Sequence, residues 1–316
     1  NNKQRKLFIK VLIAGSIPII ISCILQYWFK VFGPFETLNG LIVWFQKPLI
    51  RNDGISGLFS NQNYTGFWFA MLWPFSIFLF RRNYTNKFKK ILLAIINFFV
   101  LYFGILTNSR NSVLGLILTI PILFGLKTFF TSIFILIILT AIYILLLNNS
   151  LINNQNLVQF IPVALLEKIT TFNINSINSI PRFEIWDKAY NLIIRRPLLG
   201  WGASSFAALY LIKGGLYKIQ HTHNLPLELS YNFGIPLSLI LSSFFILLIY
   251  KGWKTLITND VKKLSLDLHW LTSVTVVYLL QLSDITYYDG KISLIIWILL
   301  AGLKCIINEQ QLKLNI

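Results

Sequence analysis

Two of the three histidines in the sequence fall within three residues of each other, in the run His221-Thr222-His223-Asn224. A neutral imidazole titrates close to neutral pH and could take a proton from a hydroxyl. His-x-His could also begin a zinc site, but without a third ligand in view it is a weak metal signal, and no metal is expected. Glu228 lies five residues beyond His223. On a helix that spacing is about 140° round, so Glu228 need not face the same site, though it could orient a neighbouring group.

Arginine supplies the second kind of chemistry. Arg182 stands near the start of the run PRFEIWDKAYNLIIRR. Its guanidinium offers planar, bidentate donors to phosphate oxygens, which makes it a candidate diphosphate clamp. The plainer reading is a solvated helix residue paired with Asp187 or Glu184. Arg110, in TNSRNS, sits beside a very short turn on the expected outer side, where a basic residue runs against the charge bias of membrane loops; the plainer reading there is a snorkelling arginine. Arg195 and Arg196 close the same run, where cations suit a helix C-terminus. The sequence has no D-x-D pair, no phosphate-cradling glycine loop and no nucleophile elbow. An enzyme built on this chain would have to neutralise a diphosphate with arginines.

The elements that must position these groups are apolar. Of the 316 residues 55% are hydrophobic and only 12% charged, against about a quarter charged in soluble domains. A bilayer can hide that much apolar surface. The net charge of +17 comes from basic residues between apolar segments, so topology explains it and nucleic acid does not. Cys23 and Cys305 both fall in apolar segments, so no disulfide framework follows. A span takes roughly 20 apolar residues, and eight candidates emerge: 7–25, 64–80, 91–107, 111–126, 128–147, 233–250, 268–283 and 291–307. Short basic loops stay cytoplasmic. Lys3, Arg5 and Lys6, then Arg81, Arg82, Lys87, Lys89 and Lys90, then Lys251, Lys254, Lys262 and Lys263 all come out on one side if there are eight spans. Both termini are then cytoplasmic. The fold expected is all-α: one polytopic helical bundle over 1–316 with a single long periplasmic loop at 148–232.

That loop opens on Asn148, Asn149, Asn153, Asn154 and Asn156 and then becomes ordered in pattern. From Pro181 to Arg196, the residues Phe183, Trp186, Tyr190 and Ile193 recur at helical spacing, and proline is favoured in a first turn. This predicts an amphipathic helix with those four on its apolar face. The spans are nearly free of ionisable groups, Lys10 being the main exception, which argues against a proton-driven transporter.

In order along the chain, GISGLFSNQNYTGFWFAMLWPF, TNSRNSVLGLILTIPILFG, PRFEIWDKAYNLIIRRPLLGWGASSF and HTHNLPLELSYNFGIP resemble the O-antigen ligase and polymerase family. The ligase-like region covers about residues 55–250. Family ligases carry His, then Asn, Ser or Gln, nine residues, and Gly-x-x-Thr-Thr. His223, Asn224 and Gly234 match. Ile235 to Ser238 do not supply the closing threonines, so ligase and polymerase both stay open. Arg182, Trp186, Pro197, Gly200 and Gly202 match a second family pattern.

The resemblance implies a metal-independent, cofactor-free glycosyltransferase of the bacterial inner membrane, acting in lipopolysaccharide biosynthesis. It would move a glycan from an undecaprenyl-diphosphate carrier to a hydroxyl of the lipid A core, or of another glycan if it is a polymerase. Its partners are then the lipid-linked donor, that acceptor and membrane lipids, with no nucleic acid. Carried onto this sequence, Arg110 and Arg182 bind the donor diphosphate and His223 activates the acceptor, supported by Asn224, Glu228 and Trp186. Family members usually have more than eight spans; the chain begins at Asn1 and its only methionine is Met71, so a preceding segment is expected. The competing readings are a small-anion transporter whose outer arginines gather substrate, and a non-catalytic scaffold.

Overall fold

The computed structural model describes residues 1–44, 46, 48–49, 53–82, 86–148, 181–216, 219–258 and 264–314. The asparagines from Asn149 to Asn156, together with Lys262 and Lys263, lie outside them. The order of elements is α1 (Asn2–Tyr27), β1 (Phe35–Thr37), β2 (Ile42–Trp44), α2 (Gln62–Arg81), α3 (Lys87–Leu106), α4 (Arg110–Phe124) and α5 (Leu126–Asn148). Then come α6 (Pro181–Arg195), α7 (Phe206–Ile212), α8 (Leu225–Phe233), α9 (Ile235–Thr258), α10 (Leu266–Gln281) and α11 (Gly290–Leu314). The two three-residue strands pair antiparallel, with Glu36 opposite Val43. Otherwise this is an all-α membrane protein.

Each of the eight apolar segments read from the sequence falls on a helix. Among the described residues four helices, α1, α3, α9 and α11, are long and apolar enough to cross a membrane. The 15-residue α4 and the 16-residue α10 are shorter. The described residues group into two compact units, one built from residues 2–148 and 264–273, the other from 181–258 and 274–314.

The first unit is organised around α2. This helix is buried along nearly its whole length, so its neighbours, not lipid, decide its composition. In an apolar surrounding, close helix contacts favour small residues and polar groups find partners across the helix interface. Gly66 meets α4 closely: a Cβ there would stand 2.6 Å from Ser112 Cβ. Ser112 Oγ lies 2.8 Å from Gly104 O and 3.0 Å from Gly66 O. Trp68 Nε1 donates to Ser16 Oγ at 3.0 Å, and Trp73 Nε1 to Asn97 Oδ1 at 3.2 Å. The start of α10 joins this unit through Trp270, which packs on Phe8 and Phe75.

One sequence expectation needs amending here. His269 lies fully buried in α10, within an expected span, with Nδ1 2.7 Å from Ser265 O. Its Nε2 is buried without a hydrogen-bond partner among the described residues, and a single histidine does not make a relay.

The second unit holds the predicted amphipathic helix, α6, which forms over Pro181–Arg195. Its buried face is only in part the one expected, with Ile193 in the core and Trp186 packed against it. Ile185, Ala189, Leu192 and Ile193 form the core with Phe206, Tyr210 and Tyr231, while Phe183 and Tyr190 are exposed. The seam is lined by aliphatic side chains because α6 meets the rings of α7 and α8 there, and small Ala189 makes room for them.

Two family-pattern segments interlock beside that core. Trp201 N donates to Tyr231 O at 2.8 Å, Gly202 N to Asn232 O at 3.0 Å and Ile235 N to Pro197 O at 2.7 Å. The approach requires glycine at two points. Gly200 has φ +69° and a Cβ there would lie 2.5 Å from Tyr231 O; Gly234 has φ +86° and its Cβ would lie 2.1 Å from Leu198 O. The glycines of P-x-x-G-x-G and of the His-Asn motif therefore serve one backbone contact, which sets the C-terminal end of α8 against the turn after α6.

Candidate active site

Residues 221–224 form a tight loop ahead of α8, and every side chain around them has an assigned task. Asn224 caps α8 by accepting from Leu227 N at 3.0 Å, and its amide donates to Leu282 O at 2.8 Å. One residue thus starts the helix, as asparagine does well, and ties it to the turn after α10. From the α6 side, Trp186 Nε1 donates to Thr222 O at 2.9 Å.

Glu228, in the first turn of α8, is buried and faces back into the loop. It accepts from Thr222 N at 2.9 Å, from Asn232 Nδ2 at 3.3 Å and, through a short contact, from the Tyr288 hydroxyl. The helical-wheel argument that kept it away from the histidines does not apply, because 221–224 is not helical. Burial, and then the Glu228 carboxylate that accepts its hydrogen bond, hold the Tyr288 phenol well above its usual range.

His223 has φ +55°, a left-handed backbone that is uncommon outside glycine, although histidine is among the residues that tolerate it. This turn aims its ring at a residue that sequence reasoning missed. His223 Nδ1 lies 2.8 Å from Asp284 Oδ1, across 61 positions of sequence. Asp284 is nearly fully buried, and the same oxygen accepts from Ile285 N at 2.9 Å. Burial alone would raise its carboxyl, but the hydrogen bond and charge of His223 outweigh it and hold Asp284 below the usual carboxylate range. The His223 side chain remains 25% exposed, so the pair has a buried end and an open end.

His221 stacks between the two: its ring centroid is 4.2 Å from that of His223 and 5.9 Å from that of Tyr288. Its Nδ1 accepts from His223 N at 3.2 Å. Burial, and then the neighbouring His223, push its pKa down to about 4, so the ring is neutral at neutral pH.

Of the residues singled out from sequence, the structure gathers His223, Asn224, Glu228 and Trp186 around one loop. Arg182 is half-buried, one turn before Trp186 on the same face of α6. Neither acid named as its partner holds it, since Glu184 accepts from Tyr210 at 2.6 Å and Asp187 from Asn191 at 3.3 Å. Arg196 lies 4.3 Å over the Trp201 ring, a stacking role. Arg110 belongs to the other unit, where it is exposed at the first position of α4. A cation at a helix N-terminus gains nothing from the dipole.

Below the loop, α8, α9, α11 and the second half of α10 enclose a cavity of about 320 Å³. Its walls are apolar, with Leu229, Phe245 and Trp297 among them, and Asn232 and Tyr288 line it from the Glu228 network.

With this geometry in hand, comparison with known proteins is informative. A family model described as O-antigen ligase matches residues 92–242, the family that the motif order implied. A comparison with curated proteins finds no match. This match indicates an O-antigen ligase or polymerase-type membrane function in lipopolysaccharide biosynthesis. Such proteins are enzymes that act on lipid-linked glycan donors and acceptors in the membrane. The match includes Arg110, Arg182 and His223 and ends before Asp284 and Tyr288. The signal that could have found Asp284 is scarcity: the chain has only 11 acidic residues, and this one falls where an apolar segment ends.

Proposed function

We propose that the chain transfers a glycan from an undecaprenyl-diphosphate carrier to an acceptor hydroxyl at the periplasmic face of the bacterial inner membrane, with residues 148–232 on that side of an eight-span bundle. The observation that carries this reading is the 2.8 Å contact between His223 Nδ1 and a buried Asp284 carboxylate. An ionised Asp284 accepts the Nδ1 proton, which leaves the Nε2 lone pair free on a side chain that is 25% exposed. A histidine held in this way by a carboxylate is a competent general base. His223 takes the proton from the acceptor hydroxyl, the oxygen attacks the anomeric carbon, and the bond from that carbon to the diphosphate breaks. The diphosphate leaves with the electron pair, and Arg182 and Arg110 neutralise its growing charge. The chemistry needs no metal and no cofactor. The apolar cavity supports a substrate with a hydrocarbon part.

For the acceptor, the reading is a ligase acting on the lipid A core. The loss of the closing threonine pair at Ile235–Ser238 favours a second reading, a polymerase that adds glycan to glycan. Replacing His223 or Arg182 by Ala should lower transfer by about 10²–10⁴-fold, the usual worth of a general base, with membrane insertion unchanged. Full activity in both variants would overturn the proposal. A glycan gel separates the two acceptors. A defective ligase leaves the ladder unattached to lipid A, and a defective polymerase loses the ladder.

A further inference from the structure

His-x-His was a weak metal signal for want of a third ligand, and the fold supplies one. His221, His223 and Asp284 each present a ligating atom within 4.8 Å of those of the other two. Two of the three are buried, while His223 is partly exposed, so the cluster has an open side. Two imidazoles and one carboxylate form a donor set suited to Zn²⁺ and its neighbours, with a fourth position left for water. The ligands are also preset. Asp284 is held by Ile285 N, and the His221 ring is stacked on Tyr288 with centroids 5.9 Å apart, so both side chains are fixed in place.

We propose that His221, His223 and Asp284 bind a divalent transition-metal ion of the zinc type, and that its binding switches glycan transfer off. Whichever nitrogen of His223 binds the metal, the base is lost. A metal at Nε2 occupies the lone pair that would accept the hydroxyl proton. A metal at Nδ1 displaces the proton shared with Asp284, and the neutral ring then carries its proton on Nε2. The binding half of this proposal stands on the cluster alone; the switch-off half rests on the reading of His223 as the base.

The test uses the purified full chain in detergent, stripped with chelator, with Co²⁺ as a visible probe and Zn²⁺ as its competitor. One equivalent should bind. Asp284→Asn and His221→Ala should each weaken binding by at least about 100-fold, since even residues behind a metal's ligands are worth 10–100-fold. His221→Cys should restore it, because thiolate is a zinc ligand and a purely structural histidine would not be rescued in this way. Zinc-edge X-ray absorption of the unaltered protein should show two imidazoles; a shell without imidazole overturns the site even if a variant fails to fold. Saturating Zn²⁺ should abolish transfer and chelator should restore it. Unchanged transfer with the metal bound overturns the switch-off. Metal binding without transfer under any condition, chelator included, removes the transferase reading and the switch-off with it, and leaves the metal site standing.

Discussion

Two polar turns in this molecule are built on similar local devices and reach different ends. The turn at Thr107–Arg110 and the loop at His221–Asn224 each contain a left-handed residue, Asn108 at φ +50° and His223 at φ +55°. Each ends on a side chain that caps the next helix, Ser109 onto Ser112 N at 3.4 Å and Asn224 onto Leu227 N at 3.0 Å. The first turn is held by side chains of its own segment, Thr107 Oγ1 donating to Gly104 O at 2.8 Å, and by one backbone bond from far along the chain, Ile55 N to Leu106 O at 3.2 Å. It holds one exposed cation in place. The second draws Trp186, Leu282 and Asp284 from positions 36 to 61 residues away. Local side-chain bonds and one backbone contact suffice to hold a charge in place. A proton-transfer pair needs one partner brought in from a distant part of the chain and buried.

The comparison breaks most decisively at Asp284. Asp284→Asn should lower kcat by about 100-fold or more, because the amide no longer fixes the His223 tautomer; the corresponding change in a catalytic triad costs about 10⁴. Donor KM should stay within about twofold. Arg110→Lys should do the reverse, raising donor KM by roughly tenfold, as expected when a bidentate donor becomes a point charge, with kcat nearly kept. Steady-state kinetics on a lipid-linked donor would separate them. If the two variants showed the same split, the difference drawn between the turns would be lost.

A second large effect is on stability. Gly234→Ala puts a Cβ 2.1 Å from Leu198 O in a backbone at φ +86°. Strain of this kind costs about 1–3 kcal/mol before any clash is counted, so the variant should melt well below the unaltered protein or fail to accumulate. Gly290→Ala, where a Cβ meets nothing within 4 Å, should be neutral in the same thermal assay.

The sequence was legible wherever local rules dominate. Apolar runs marked helices because a bilayer leaves a chain few other options, and Pro181 with the spacing after it marked α6. Which face of α6 would be buried was legible only in part. The aromatic residues Phe183 and Tyr190 looked like core and are exposed, because the neighbouring elements bring their own rings, Phe206, Tyr210 and Tyr231, and ask for small or aliphatic partners. Glu228 was misjudged by extending helical geometry through a loop. Asp284 stood out only by the scarcity of acids, and its pairing could not be read, since nothing local links residue 284 to residue 223.

A smaller effect is expected at Tyr288→Phe. The change removes the hydroxyl that donates to buried Glu228 and leaves Thr222 N and Asn232 to satisfy the carboxylate. Removing one partner of a buried group costs about 1–3 kcal/mol, read as a lower melting temperature. Transfer should persist, because His223 and Asp284 keep their contact. If activity disappeared while melting did not change, Tyr288 would belong to the chemistry and not to its support.

The smallest effect expected is at Asn108→Gly. Glycine accepts φ +50° without strain, which favours the folded chain. It also frees the unfolded chain, a penalty of about 0.4–1 kcal/mol, so the two contributions largely cancel. Transfer should be retained and the melting temperature should move far less than in Gly234→Ala, because glycine keeps the left-handed backbone that turns the chain toward Arg110. His223→Gly relieves the same backbone conformation and yet should abolish transfer. A left-handed residue replaceable by glycine in one turn and irreplaceable in the other would show that the strained backbone at His223 serves its ring. Equal tolerance at both positions would reduce the two turns to the same structural device.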